Sequence, residues 1–239
     1  RKLKAAVIMT GDDHAAGGTI GRFNQYLTLG PNSVQDVLNW DAVRSTSYIY
    51  STTDNNSVIT NTQAAAFEAQ GFEVACHITT NCGNFTSESD LDNNYFTPQL
   101  STFAGKWPGL STPSTNRTHC IAWSDWASEA KVATSKGIRL DCNYYYWPDT
   151  WVLNRPGMFT GSGMPMRFAD LDGSIIDCYQ VVTQLTDESG ISYSTHINSL
   201  LGKATGPEGY YGVFCANMHT DVNGGNSSQG SDAIISSAQ

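Results

Sequence analysis

Apolar runs long enough for buried strands recur along the chain and alternate with stretches of helical character. The first, Val7-Ile8-Met9, runs straight into Thr10-Gly11-Asp12-Asp13-His14. A continuous apolar run marks a strand buried on both faces, so this one is expected to end at a rim with two carboxylates. Residues 42–50 predict a second strand. The clearest helix covers 63–70, with Asn61 as its cap and Gly71 as its left-handed stop. Residues 72–77 restart at once as a strand, and strand, helix, strand in this order fits a parallel crossover.

The pattern then repeats more loosely. Helices are expected over 96–103, 125–136 and 191–201, and strands over 118–123, 138–145, around 158–159, over 175–182 and over 210–218. Asp170-Leu171-Asp172-Gly173 makes a turn before the 175–182 strand. Residues 17–38 read as irregular apart from a short helix within 33–40, and the Ser- and Gly-rich C-terminal stretch predicts no element. Such alternation indicates an α/β fold with a mostly parallel sheet. Polar residues recur at the ends of several strands, which favours a distorted (β/α) barrel over a doubly wound sheet.

Composition narrows the picture. A chain of 239 residues with 40% hydrophobic and 15% charged residues is read as one domain spanning 1–239. The net charge of -9, from 13 basic and 22 acidic residues, argues against nucleic acid and anionic membranes as partners and suits amino sugars or neutral glycans. No stretch reads as a membrane span, and neither a P-loop nor a complete G-x-G-x-x-G is present. The six cysteines contain no C-x-x-C pair, which disfavours a structural zinc knot and leaves disulfides or buried thiols. With the low lysine content and the Ser-, Thr- and Asn-rich loops, this points to an oxidising, extracellular setting; Asn55, Asn84, Asn116 and Asn226 each head an N-x-S/T sequon, which carries a glycan in a eukaryotic secretory chain and means little in a bacterial one. The start at Arg1, directly on the first strand, reads as a mature or excised domain of a larger secreted protein.

The expected strand ends gather a chemical set. Asp12, Asp13 and His14 follow the first strand, His77 and Asn81 the third, His119 lies near the fourth, Asp149 follows the fifth, and His219 and Asp221 close the last. Carboxylates and imidazoles converging at one rim hold a divalent metal while leaving a position open, an arrangement suited to hydrolysis. Trp123, Trp147 and Trp151 are candidates for stacking on sugar rings, although core packing accounts for tryptophans equally well. His196, on an amphipathic helix, reads as structural.

Three segments resemble the motifs of the NodB-homology polysaccharide deacetylases, metal-dependent carbohydrate esterases that remove acetyl groups from glycans. Residues 10–14, T-G-D-D-H, resemble the family's T-F-D-D-G; residues 71–81 resemble its G-H-E-I-x-N-H-[ST]-x-x-H segment; and Met218-His219-Thr220-Asp221 resembles its final L-x-H-D. The resemblance spans about residues 5 to 221. It implies a distorted (β/α) barrel of the NodB type, a divalent metal, foremost zinc, and an acetylated polysaccharide substrate. Carried over, Asp12 is the general base, Asp13 and His77 are metal ligands, and His219 is the general acid. Asn81 stands where the family places a second ligating His, and His14 where it has Gly. The expected Arg-Pro motif is missing from 118–126, and residues 144–151 match the D-x-x-D-W motif only loosely, leaving Asp149 as a partner for His219. The alternative is a non-catalytic carbohydrate-binding module on a degenerate deacetylase scaffold. A bridge between Cys76 and Cys82, which flank the proposed ligands, would brace that loop.

Overall fold

A computed structural model of the chain describes residues 3–14, 17–52, 58–143, 163–189, 192–209, 211–221 and 225–239. The element order begins β1 (Ala5–Asp13), α1 (Thr19–Leu27), α2 (Val34–Leu38), β2 (Ser45–Ile49), α3 (Asn61–Glu68), β3 (Glu73–Cys76). It continues through α4 (Glu88–Asp90), a π-helical stretch (Leu91–Phe96) and α5 (Thr97–Lys106) to β4 (Thr115–Asn116), a 3-10 turn (His119–Ile121) and α6 (Ser128–Ser135). The last part holds β5 (Leu140–Asp141), β6 (Met166–Ala169), β7 (Ile175–Gln180), β8 (Thr183–Thr186), α7 (Tyr193–Thr205), β9 (Gly212–Asn217) and α8 (Gly225–Ala238).

The ladders form two sheets. One is five-stranded in the order β3-β2-β1-β9-β8, and all its pairs are parallel. The other is four-stranded in the order β4-β5-β7-β6, parallel except for the β6–β7 hairpin. Side chains join them: Tyr48 Oη donates to Thr115 Oγ1 at 2.8 Å, and Thr183 Oγ1 donates to the Cys142 carbonyl at 2.8 Å. Among the described residues the result is a distorted, barrel-like α/β fold without a closed ring of strands. None of their helices is long and apolar enough to cross a membrane.

The larger core lies between the five-stranded sheet and its helices. Phe23 stacks on Phe72 at 4.4 Å between ring centres and meets Phe67 edge-on at 5.1 Å. Phe103, Trp107 and Phe214 are fully enclosed in the same core. Each such side chain contributes about 1.5–3 kcal/mol by leaving water.

Several expectations are corrected by local chemistry. Residues 17–38 contain a full helix, α1, whose buried Arg22 donates to the carbonyls of Met218 and His219 and to Ser227 and Ser231. The C-terminal stretch folds as α8 because small residues fit it closely to its neighbours; a Cβ at Gly230 would come within 2.6 Å of the Tyr193 ring. Helix α3 is capped by Thr60, which forms a reciprocal capping box with Gln63, while Asn61 Oδ1 accepts from the Gly109 amide. Residues 118–123 form no strand, since Cys120 (φ 58°) and Ile121 (φ 53°) are left-handed. Strands β6 and β8 went unforeseen, and the expected strand around 158–159 lies outside the described residues. Cys76 is a buried free thiol and Cys82 bridges to Cys120, so the Cys76–Cys82 pairing is replaced by a link between the loop after β3 and the 3-10 turn.

Candidate active site

Parallel strands deliver their C-terminal ends to one edge. Asp12 and Asp13 end β1, His77 directly follows β3, Asp187 directly follows β8, and His219 comes two residues after β9. Gly11 permits this convergence: a Cβ there would meet the Met218 carbonyl at 2.4 Å. The Met218 and Thr220 amides in turn donate to the Thr10 and Asp12 carbonyls, carrying the β1–β9 register past the end of β9.

Asp12 is buried, and its Oδ2 accepts from Asn217 Nδ2 at 2.9 Å. Its Oδ1 lies 3.6 Å from Arg117 Nε, and Oδ2 lies 3.9 Å from His219 Nε2. Burial pushes the carboxyl up, but His77, Arg117 and His219 outweigh it and hold the group below its ordinary value. His219 donates from Nδ1 to Asp187 Oδ1 at 2.9 Å, and its own amide donates to Asp187 Oδ2 at 3.0 Å. Burial lowers this imidazole, but the Asp187 hydrogen bond and the charge of Asp12 raise it to about 9.

Asp13, adjacent in sequence, has a different environment. Its Oδ2 accepts from the amide and hydroxyl of Thr19 at 3.1 and 2.7 Å, and its Oδ1 from the Gly17 amide at 3.2 Å. It anchors the start of α1. Asn81 is exposed on a left-handed backbone (φ 56°), with its amide donating to Thr79 Oγ1. Of the two His and Asp ligands implied by the resemblance, His77 lies in a cluster of possible His, Cys, Asp and Glu ligands and Asp13 does not.

That cluster is formed by histidines. One ring nitrogen from each of His14, His77 and His119 lies within 4.8 Å of the others. The ring centres are 5.3 Å apart for His14 and His77, 5.0 Å for His14 and His119, and 5.3 Å for His77 and His119. His77 donates from Nδ1 to the Arg117 carbonyl at 2.9 Å, and its buried Nε2 has no partner. Burial pushes this imidazole down to about 4, keeping it neutral as a metal ligand must be. A buried, unprotonated nitrogen facing other imidazoles fits a divalent cation.

The remaining sequence candidates separate. Asp221 accepts from His14 Nδ1 at 3.0 Å, and Tyr50 Oη lies 2.8 Å from His119 Nδ1. Trp123 is stacked on Phe168 at 5.4 Å, so one ring face is already covered. Trp147, Trp151 and Asp149 lie outside the described residues. The partner seen on His219 Nδ1 is Asp187, which sequence reasoning missed because β8 was not recognised. Arg117 stands immediately before residues 118–126, which lack the expected Arg-Pro motif, and is followed by Thr rather than Pro. His196 is buried on α7, among core residues, in line with a structural role.

No family model and no curated protein matches the sequence. Solved structures do. A family 4 carbohydrate esterase from Streptomyces lividans in complex with acetate is 14% identical, with a TM-score of 0.53 over 97% of this chain and 86% of that one. A probable polysaccharide deacetylase from Pseudomonas aeruginosa is 9% identical, with a TM-score of 0.58 over 98% and 84%. PuuE allantoinase is also 9% identical, with a TM-score of 0.60 over 98% and 84%. At these identities the likeness is one of architecture: the chain has the α/β fold that polysaccharide deacetylases share with this allantoinase.

Proposed function

We propose that the chain is a secreted, metal-dependent deacetylase that hydrolyses acetyl groups on a glycan, with N-acetylated amino sugars as the substrate class. The observation that carries this reading is the placement of Asp12 and His219 3.9 Å apart at the rim that also holds the unpartnered His77 Nε2. The deacetylase fold supports the reaction class, the net charge of -9 suits a neutral or amino-bearing glycan, and the Cys82–Cys120 bridge supports an oxidising compartment.

When bound, a divalent cation, foremost zinc, supplies Lewis-acid polarisation of the acetyl carbonyl and acidifies water. The chain's own groups handle the protons. Asp12, oriented by Asn217 Nδ2 and accompanied by Arg117, takes the proton of the attacking water. His219, fixed through Nδ1 by Asp187, delivers a proton from Nε2 to the departing amine nitrogen.

The test is acetate release from acetylated chito-oligosaccharides and acetylxylan by the metal-loaded protein. Asp12→Asn is expected to lower turnover by about 10²-fold or more while the cation stays bound. Undiminished turnover in that variant would overturn the assignment. Glycan binding without any acetate release would instead mark a carbohydrate-binding module on this scaffold.

A further inference from the structure

We infer that the cation is held by three imidazoles, through Nε2 of His14, His77 and His119, in place of the carboxylate-containing set that the motif resemblance implies. The inference rests on the reading above only in placing a cation at this rim. Its evidence is geometric. Each of the three rings has its Nδ1 engaged by a different group: the Asp221 carboxylate for His14, the Arg117 carbonyl for His77, and the Tyr50 hydroxyl for His119, at 3.0, 2.9 and 2.8 Å. Holding Nδ1 in this way fixes each ring's orientation and leaves Nε2 as the nitrogen available to a metal, the role outer-shell partners play around ligating histidines. One ring nitrogen from each of the three lies within 4.8 Å of the others, and the His77 Nε2 is buried with no partner.

The competing sets are committed elsewhere. Both oxygens of Asp13 receive hydrogen bonds from the start of α1. His219 and Asp221 also lie near His14, but His219 Nε2 faces the carboxylates of Asp12 at 3.9 Å and Glu188 at 3.8 Å, and Asp221 accepts from both the amide and the ring of His14. The Cys82–Cys120 bridge keeps both thiols from acting as ligands and braces the turn that carries His119. The His119 amide, donating to the Ile78 carbonyl at 2.7 Å, ties the same turn to the segment after β3.

Three neutral donors leave the full charge of the ion in place, and imidazole selects zinc, cobalt, nickel or copper over magnesium, calcium or manganese. Three protein nitrogens also leave an open position, as catalytic zinc sites require.

The experiment uses the full chain, stripped with chelator and titrated with Co(II), then with Zn(II) for X-ray absorption at the zinc edge. The expected result is a visible Co(II) spectrum of a nitrogen-rich, low-coordinate site, no displacement by millimolar Mg(II), and three imidazoles around zinc. His14→Ala and His119→Ala are each expected to weaken Co(II) binding by more than about tenfold, and Tyr50→Phe by about tenfold. Asn81→Gly, which suits the left-handed backbone, leaves affinity unchanged. A count of one imidazole in the unaltered protein, or full affinity in both His14→Ala and His119→Ala, overturns the ligand set even if acetate is still released. Three imidazoles without acetate release on any glycan support the ligand set and overturn the deacetylase reading.

Discussion

Two buried carboxyl groups in this protein are displaced in opposite directions. Asp12, at the end of β1, is held below its ordinary value although burial pushes it up, because His77, Arg117 and His219 surround it. Glu129, on α6 beside the four-stranded sheet, is pushed up to about 8, by burial first and by the neighbouring Asp141 next. Its Oε1 accepts from Asn116 Nδ2, Asn143 Nδ2 and the Thr118 hydroxyl, while Asp141 Oδ2 accepts from the same two amides. Burial is common to both groups. The sign of the neighbours differs, and it separates a charged carboxylate beside the cluster of possible ligands from a neutral carboxyl inside a hydrogen-bonded network.

Removing the cation from the first group should have the largest effect. Arg117→Met removes the guanidinium beside buried Asp12 and leaves only His219 and the Asn217 amide to compensate it, at an expected cost of up to about 3–5 kcal/mol in urea unfolding. Adding Asp12→Asn to that variant should recover part of the loss. No recovery would mean that Arg117 acts by packing and through its bond to Thr183. The second group sets a pH dependence. A carboxyl raised in the folded state contributes stability that is fully present below its unfolded value, near 4.5, and is lost as pH rises through about 8. Unfolding free energy should therefore fall between pH 5 and 8, by up to about 1.4 kcal/mol per pH unit from this group. Glu129→Gln should flatten that slope, and an unchanged slope would remove Glu129 as its source. The smallest effect is expected from Thr118→Val, which deletes one hydroxyl donor to Glu129 and should cost about 1 kcal/mol.

The same contrast explains what the sequence revealed. Strands β1, β3 and β9 were legible because both faces are buried and apolar residues run together; His77 and His219 were legible with them. Strand β8, Thr-Gln-Leu-Thr, is fully buried but mostly polar, so neither it nor Asp187 at its end carried a hydrophobic signal. Helix α1 was obscured because Arg22 and Thr19 lie on its buried side, where hydrogen bonds replace apolar contact. The split between Asp12 and Asp13 could be proposed from motif order. That Asp13 anchors α1 depends on where Thr19 and Gly17 return, which spacing along the chain does not encode. His14 gave no pattern of its own; its value comes from three other imidazoles brought within 5.3 Å of its ring.

The cystine between Cys82 and Cys120, 38 positions apart, also closes a covalent ring that contains the π-helical stretch and α5. His77 lies just before the ring and His119 inside its closing corner, so two of the clustered histidines are linked by a route through sulfur as well as by the main chain. A single protease nick between the exposed Ser111 and Thr112 would open the main chain without separating them. The histidines would part only after both a nick and reduction.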